Sequence, residues 1–190
     1  DIVALVDRTL SDVGEPIVLV GHSFGGAVSL SYALRRPERI RTLTLVEPSA
    51  FFLLKDSGPR ETQLFAELDA VAHTIRTGAA IGTADSCEAA MRCFFDYWNG
   101  EGRWGTLPVP VQQSMAKFAD VIALDFAVLA SEPARIADFA SLHIPTLVVS
   151  GGRSPEPVRH IAALLEQVLP LAERIAIEQA GHMIPVTHAR

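Results

Sequence analysis

The sequence predicts an α/β fold, a mostly parallel sheet with flanking helices and a helical lid inserted between its strands. Two observations predict it. Short apolar runs alternate with helical stretches at both ends of the chain, and a long middle segment has helical spacing with little strand signal.

The elements follow in order. Ile2, Val3, Leu5, Val6, Leu10 and Val13 recur at helical spacing, which predicts an amphipathic helix over 1–13. Gly14-Glu15-Pro16 breaks it. A strand is expected at 17–21, then a helix from Gly26 to about Arg36, which Pro37 ends. Thr42 to Val46 is the next strand. Such a βαβ unit makes parallel strands, which need helices on both sheet faces. Leu64, Leu68, Val71, Ala72 and Ile75 keep helical spacing, and so do Ala89, Ala90, Cys93, Phe94 and Tyr97. The sheet resumes at 145–151, a helix runs over about 157–169, and the last strand is 174–178. This divides the chain into a first core part at 1–57, a helical lid at 58–140 and a second core part at 141–190.

The chain has 190 residues, 49% hydrophobic and 20% charged, enough for one domain with a buried core. Its formal net charge of −6 argues against nucleic-acid binding. No apolar stretch approaches a membrane span. Cys87 and Cys93 point to different helical faces, and no Cys/His cluster has zinc spacing, so neither a local disulfide nor a metal is expected. Two such thiols fit a reducing cytoplasm. Arginine far outnumbers lysine, which suggests a GC-rich bacterial source by codon habit.

Gly21-His22-Ser23-Phe24-Gly25 carries the chemistry. It is a G-x-S-x-G motif between a strand and a helix, the setting of a nucleophile elbow. The sharp turn exposes the Ser23 hydroxyl, and the amide of Phe24 points where an oxyanion would form. Near the C-terminus, Ala180-Gly181-His182 follows the last strand. With Pro145-Thr146-Leu147-Val148-Val149-Ser150-Gly151, these segments resemble the α/β-hydrolase family from about Val13 onward.

The resemblance implies Ser23 as nucleophile and His182 as general base, with His22 a packing residue. His73, His143, His160 and His188 read as surface or half-buried groups. Many relatives place an aspartate where this chain has Ser154. A second acid position in the fold, at the end of the strand after the elbow helix, is Glu47 here. Three outcomes therefore stay open: Glu47, Glu156, or no carboxylate, with a salt bridge to Arg153 as the structural role for Glu47. Phe51, Phe94, Trp98 and Trp104 are candidate substrate-lining residues, although aromatics at helical spacing more often form core. The implied activity is a serine hydrolase acting on a small or medium, largely apolar ester, with no cofactor. Carbon–carbon bond hydrolysis of keto-acids, or a catalytically weak binding module of the same fold, are the alternatives. The family has several strands before the elbow, one loop of which supplies a second oxyanion donor, and a closing helix after the histidine. The sequence is accordingly expected to be a partial domain.

Overall fold

The computed structural model describes residues 2–55 and 57–189. The chain divides into two compact units, residues 1–53 with 133–190, and residues 54–132. The second unit is shorter than the 58–140 lid of the sequence reading. The difference at its far end is a 3-10 turn, Ile136–Ser141, which packs against a helix of the sheet unit.

Four parallel strands make up the sheet of the first unit: β1 (Ile17–His22), β2 (Ile40–Val46), β3 (Thr146–Gly151) and β4 (Ala172–Ile177). Their spatial order is β1-β2-β3-β4, so β1 stands at an edge. Helix α1 (Ile2–Thr9) precedes them and packs on α2 (Phe24–Arg35). The sequence predicted the first helix over 1–13, and residue 1 lies outside the described residues. The helix stops earlier because its backbone passes into turns at Ser11 and Val13, whose amides bond back only three residues.

Sequential order and parallel direction together fix the layering. Every step to the next strand goes the same way, so right-handed crossovers put α2 and the later helix α7 (Glu156–Val168) on one face. That face is the core. Leu43, Leu45 and Val148 are buried there, with Leu30 and Ala33 of α2 and Val158, Ile161 and Leu165 of α7. Each of these Leu, Ile and Val side chains contributes about 1.5–3 kcal/mol on burial. The opposite face differs from the expectation of helices on both sides. Val18 and Val20 of β1 are 53% and 61% exposed, and Ile175 of β4 is 50% exposed.

The second unit is helical: α3 (Pro59–Ile81), α4 (Ala84–Asn99), α5 (Val109–Ala116) and α6 (Ala119–Ser131). Pro59 opens α3 in the first turn, where a missing amide hydrogen costs nothing. Thr83 and Ser86 cap α4 reciprocally. Leu64, Leu68, Ala72 and Ile75 form the buried stripe of α3, which packs on α4 and α6. The Tyr97 hydroxyl donates to Glu67 at 2.9 Å, tying α4 to α3, and burial beside that carboxylate pushes the phenol pKa up. No helix among the described residues is long and apolar enough to cross a membrane.

Candidate active site

Parallel strands bring their C-terminal ends to one edge of a sheet. Here that edge carries Ser23 after β1, Glu47 after β2 and Gly151 at the end of β3. His182 follows β4 in a short loop before α8 (Ile184–Thr187).

Ser23 leaves β1 with φ 56° and ψ −122°. A side-chain-bearing residue in such a conformation costs about 1–3 kcal/mol and persists only where its surroundings hold it. They do so on both sides. Its amide donates to the Val46 carbonyl at 3.0 Å, and its own carbonyl accepts from Gly26, Ala27 and Ser49. The turn is tight enough that a Cβ on Gly21 would lie 2.5 Å from the Gly25 carbonyl oxygen. A Cβ on Gly26 would lie 3.0 Å from the Pro48 Cα. Phe24 begins α2, so its amide is among those that lack an intrahelical acceptor, and the positive end of the helix faces Ser23.

Three side chains then line up. His182 Nε2 lies 2.8 Å from Ser23 Oγ, and its Nδ1 lies 3.1 Å from Glu47 Oε2. The other carboxylate oxygen, Oε1, accepts the Gly151 amide at 2.5 Å. Glu47 is fully buried and His182 is 5% exposed. A carboxylate against Nδ1 fixes the imidazole proton there and leaves Nε2 to accept from the serine hydroxyl. Burial pushes the His182 pKa below its ordinary value, against the upward pull of Glu47, and the nearby His22 ring adds a smaller downward push. The ring is therefore neutral near pH 7, the state a general base requires.

Of the three outcomes the sequence left open, the geometry pairs His182 with Glu47. Glu156 is exposed in the first turn of α7. Ser154 is buried, and its hydroxyl has no hydrogen-bond partner among the described residues. Arg153 bonds Gln179 rather than Glu47. His22 Nε2 donates to the His182 carbonyl at 2.9 Å, which pins the backbone beneath the imidazole. The sequence reading missed Ser49, whose buried Oγ lies 3.2 Å from Ser23 Oγ. No sequence signal marks it, because the contact depends on how the turn after β2 packs against the elbow.

The aromatic candidates separate. Phe51 is buried in the sheet unit, in a 3-10 turn just after Glu47. Phe94, Trp98 and Trp104 belong to the helical unit and pack with other rings there: Phe94 edge-on to Trp98 and Phe126, and Trp104 edge-on to Phe95. Trp98 and Trp104 are 6% and 3% exposed, which is the burial of core residues. Among the described residues no group of three or more His, Cys, Asp or Glu could hold a metal ion. Cys87 and Cys93 are free thiols.

Comparison with known proteins agrees with this architecture. Residues 1–190 match the model of the alpha/beta hydrolase family. Over 34 residues the chain is 50% identical to Lipase LipV of Mycobacterium tuberculosis, covering 18% of this chain and 13% of that protein. An esterase from Exiguobacterium antarcticum superposes with a TM-score of 0.70 at 14% identity, over 98% of this chain and 68% of that one. MenH from S. aureus superposes with a TM-score of 0.65 at 19% identity, over 99% of this chain and 69% of that one. The chain thus spans about two thirds of these solved structures and matches a small part of the curated relative. The chain belongs to the alpha/beta hydrolase family.

Proposed function

We propose that the protein is a serine hydrolase that cleaves a small or medium, largely apolar carboxylic ester through an acyl-enzyme. The observation that carries this reading is the unbroken line Ser23 Oγ, His182 Nε2, His182 Nδ1, Glu47 Oε2, with spacings of 2.8 and 3.1 Å. In this reading Ser23 Oγ attacks the ester carbonyl carbon and its proton passes to His182 Nε2. The Phe24 amide donates to the oxyanion of the tetrahedral intermediate. Collapse breaks the bond to the alcohol, which takes the proton from Nε2. Water, deprotonated by the same nitrogen, then attacks the acyl-enzyme and releases the acid and Ser23. Glu47 holds the ring and stabilises the imidazolium formed in each half-reaction. The neutral state of His182, set by its burial, favours this role. Two free cysteines support a reducing, cytoplasmic setting, and the excess of arginine over lysine supports a bacterial source.

A fluorophosphonate probe tests the reading, with p-nitrophenyl esters as substrates. The expected result is covalent labelling at Ser23 and ester turnover, both abolished in Ser23→Ala with the circular-dichroism spectrum unchanged. A chain that is folded yet neither labels nor turns over is the binding module of the same fold. Labelling without ester turnover would point to the carbon–carbon bond reading.

A further inference from the structure

Counting hydrogens around Ser23 Oγ assigns a role to its neighbour. The serine hydroxyl has one hydrogen, and His182 Nε2, 2.8 Å away, takes it because the Nδ1 proton faces Glu47. Ser49 Oγ lies 3.2 Å from the same oxygen. With the hydrogen of Ser23 spent, the bond between the two hydroxyls must be donated by Ser49. That donor is well held. Ser49 is 2% exposed, so little water competes for its hydroxyl. Its amide bonds the Ser23 carbonyl at 3.0 Å, and its carbonyl accepts from Phe51 at 2.8 Å. The two serines are therefore locked backbone to backbone as well as side chain to side chain.

We propose that Ser49 is a catalytic residue, a fixed hydroxyl donor to the nucleophilic oxygen that stabilises the negative charge gathering on Ser23 Oγ as its proton leaves. The inference rests on the serine-hydrolase reading. Charge grows on Oγ twice: when Ser23 attacks, and when it departs as the leaving group of the acyl-enzyme. A neutral hydroxyl–hydroxyl bond becomes a charge-assisted one at those moments, about twice as strong, and needs no reorganisation because the donor is already aimed. The bond between Ser23 and the acyl group forms and breaks as before. Ser49 keeps its proton throughout.

The test measures the second-order rate of fluorophosphonate labelling and its pH dependence in the wild-type chain, Ser49→Ala and Ser49→Cys. Losing a hydrogen bond to a charged oxygen predicts a labelling rate about 10- to 100-fold lower in Ser49→Ala. The thiol, a weak donor of similar size, should give an intermediate rate. The midpoint of the acid limb should stay in place in both variants, because Ser49 touches Oγ and not the imidazole. Hydrolysis of p-nitrophenyl acetate should lose kcat with little change in KM for binding. A Ser49→Ala chain that labels at the wild-type rate overturns this inference alone and leaves the serine-hydrolase reading standing. So does a slow Ser49→Ala whose pH midpoint has moved, since that marks a displaced histidine. A wild-type chain that does not label overturns the serine-hydrolase reading, and this inference with it.

Discussion

At Ser23 the chain leaves β1 with φ 56°, and at Glu47 it leaves β2 with φ 50°. These are the two non-glycine residues with positive φ among the described residues. Both amides still bond the neighbouring strand, Ser23 to Val46 and Glu47 to Val149. From there the two turns differ in what holds them. The first is held by its own glycines and by the adjoining turn after β2. Gly21 and Gly26 remove the side chains that would collide, and α2 starts at once. The second has no glycine. Its left-handed residue carries a full carboxylate side chain, followed by Pro48. What holds it is distant in sequence: the Gly151 amide on one oxygen and the His182 ring on the other. Strain at Ser23 is thus maintained by its own turn together with the Val46 carbonyl and the Ser49 amide of the adjoining turn. Strain at Glu47 is maintained by partners more than a hundred residues away, and those partners are part of the site.

Glu47→Gln should perturb the second turn most. The amide oxygen can still accept from Gly151, but the other end becomes a donor and no longer accepts from Nδ1. The imidazole would then turn to the wrong tautomer and lose its counter-charge. A loss on the order of 10⁴ in kcat is expected, as for the equivalent change in serine proteases. Glu156→Gln, on an exposed first turn, should stay within about twofold. Steady-state kinetics of the two variants decide the matter. If Glu156→Gln is the more damaging, the carboxylate has been misassigned.

This difference between the turns also explains what was legible in the sequence. The Ser23 elbow could be read because part of its constraint is local and leaves glycines at fixed spacing. The strands could be read for a similar reason: apolar runs at 17–21, 42–46, 145–151 and 174–178 lie within two residues of the observed bounds. Glu47 could be reached only as one of three outcomes, through resemblance to a fold with two acid positions. Ser49 was invisible, since its meaning comes from a contact between two turns. The exposure of Val18, Val20 and Ile175 on the second sheet face was also missed. Parallel strands read as apolar on both faces whether or not helices cover both, and the layering follows from strand order, which the sequence does not spell out. The aromatics of the helical unit were read as substrate contacts or as core. Trp98 and Trp104 have the burial of core residues, whereas Phe94 is half-buried, edge-on to Trp98 and Phe126.

A smaller effect, on pH dependence, tests how Glu47 acts on the His182 imidazole. Burial lowers the His182 pKa and Glu47 raises it, with burial the larger. kcat/KM should therefore rise with pH through an inflection below the ordinary histidine value of 6.5. In Glu47→Gln the upward pull is gone, so the inflection of the residual activity should move lower still. Stability carries the same sign. Between pH 6.5 and the lower folded-state value, the unfolded chain binds a proton that the folded one does not, so stability falls as the pH drops through that window. Urea midpoints measured across it should fall towards acid, and an inflection above 6.5 would show that Glu47 outweighs burial.

The smallest expected effect belongs to Ser154, the place where resemblance led one to look for an aspartate. Its Oγ is buried without a hydrogen-bond partner among the described residues, and it sits 2.9 Å from where a Cβ on Gly151 would stand. A buried hydroxyl that makes no bond has already lost its hydration and gains nothing in return. Ser154→Ala removes that hydroxyl and leaves a near-isosteric methyl group. Stability should hold or rise by up to about 1 kcal/mol, and kcat should stay within about twofold. The contrast with Glu47→Gln is the informative quantity. Both positions lie beside Gly151, yet only Glu47 accepts its amide and reaches the His182 ring. A thermal melt and an ester assay on Ser154→Ala check it. If this variant loses more activity than Glu47→Gln, the imidazole is oriented from position 154 and the second turn is not the one that holds it.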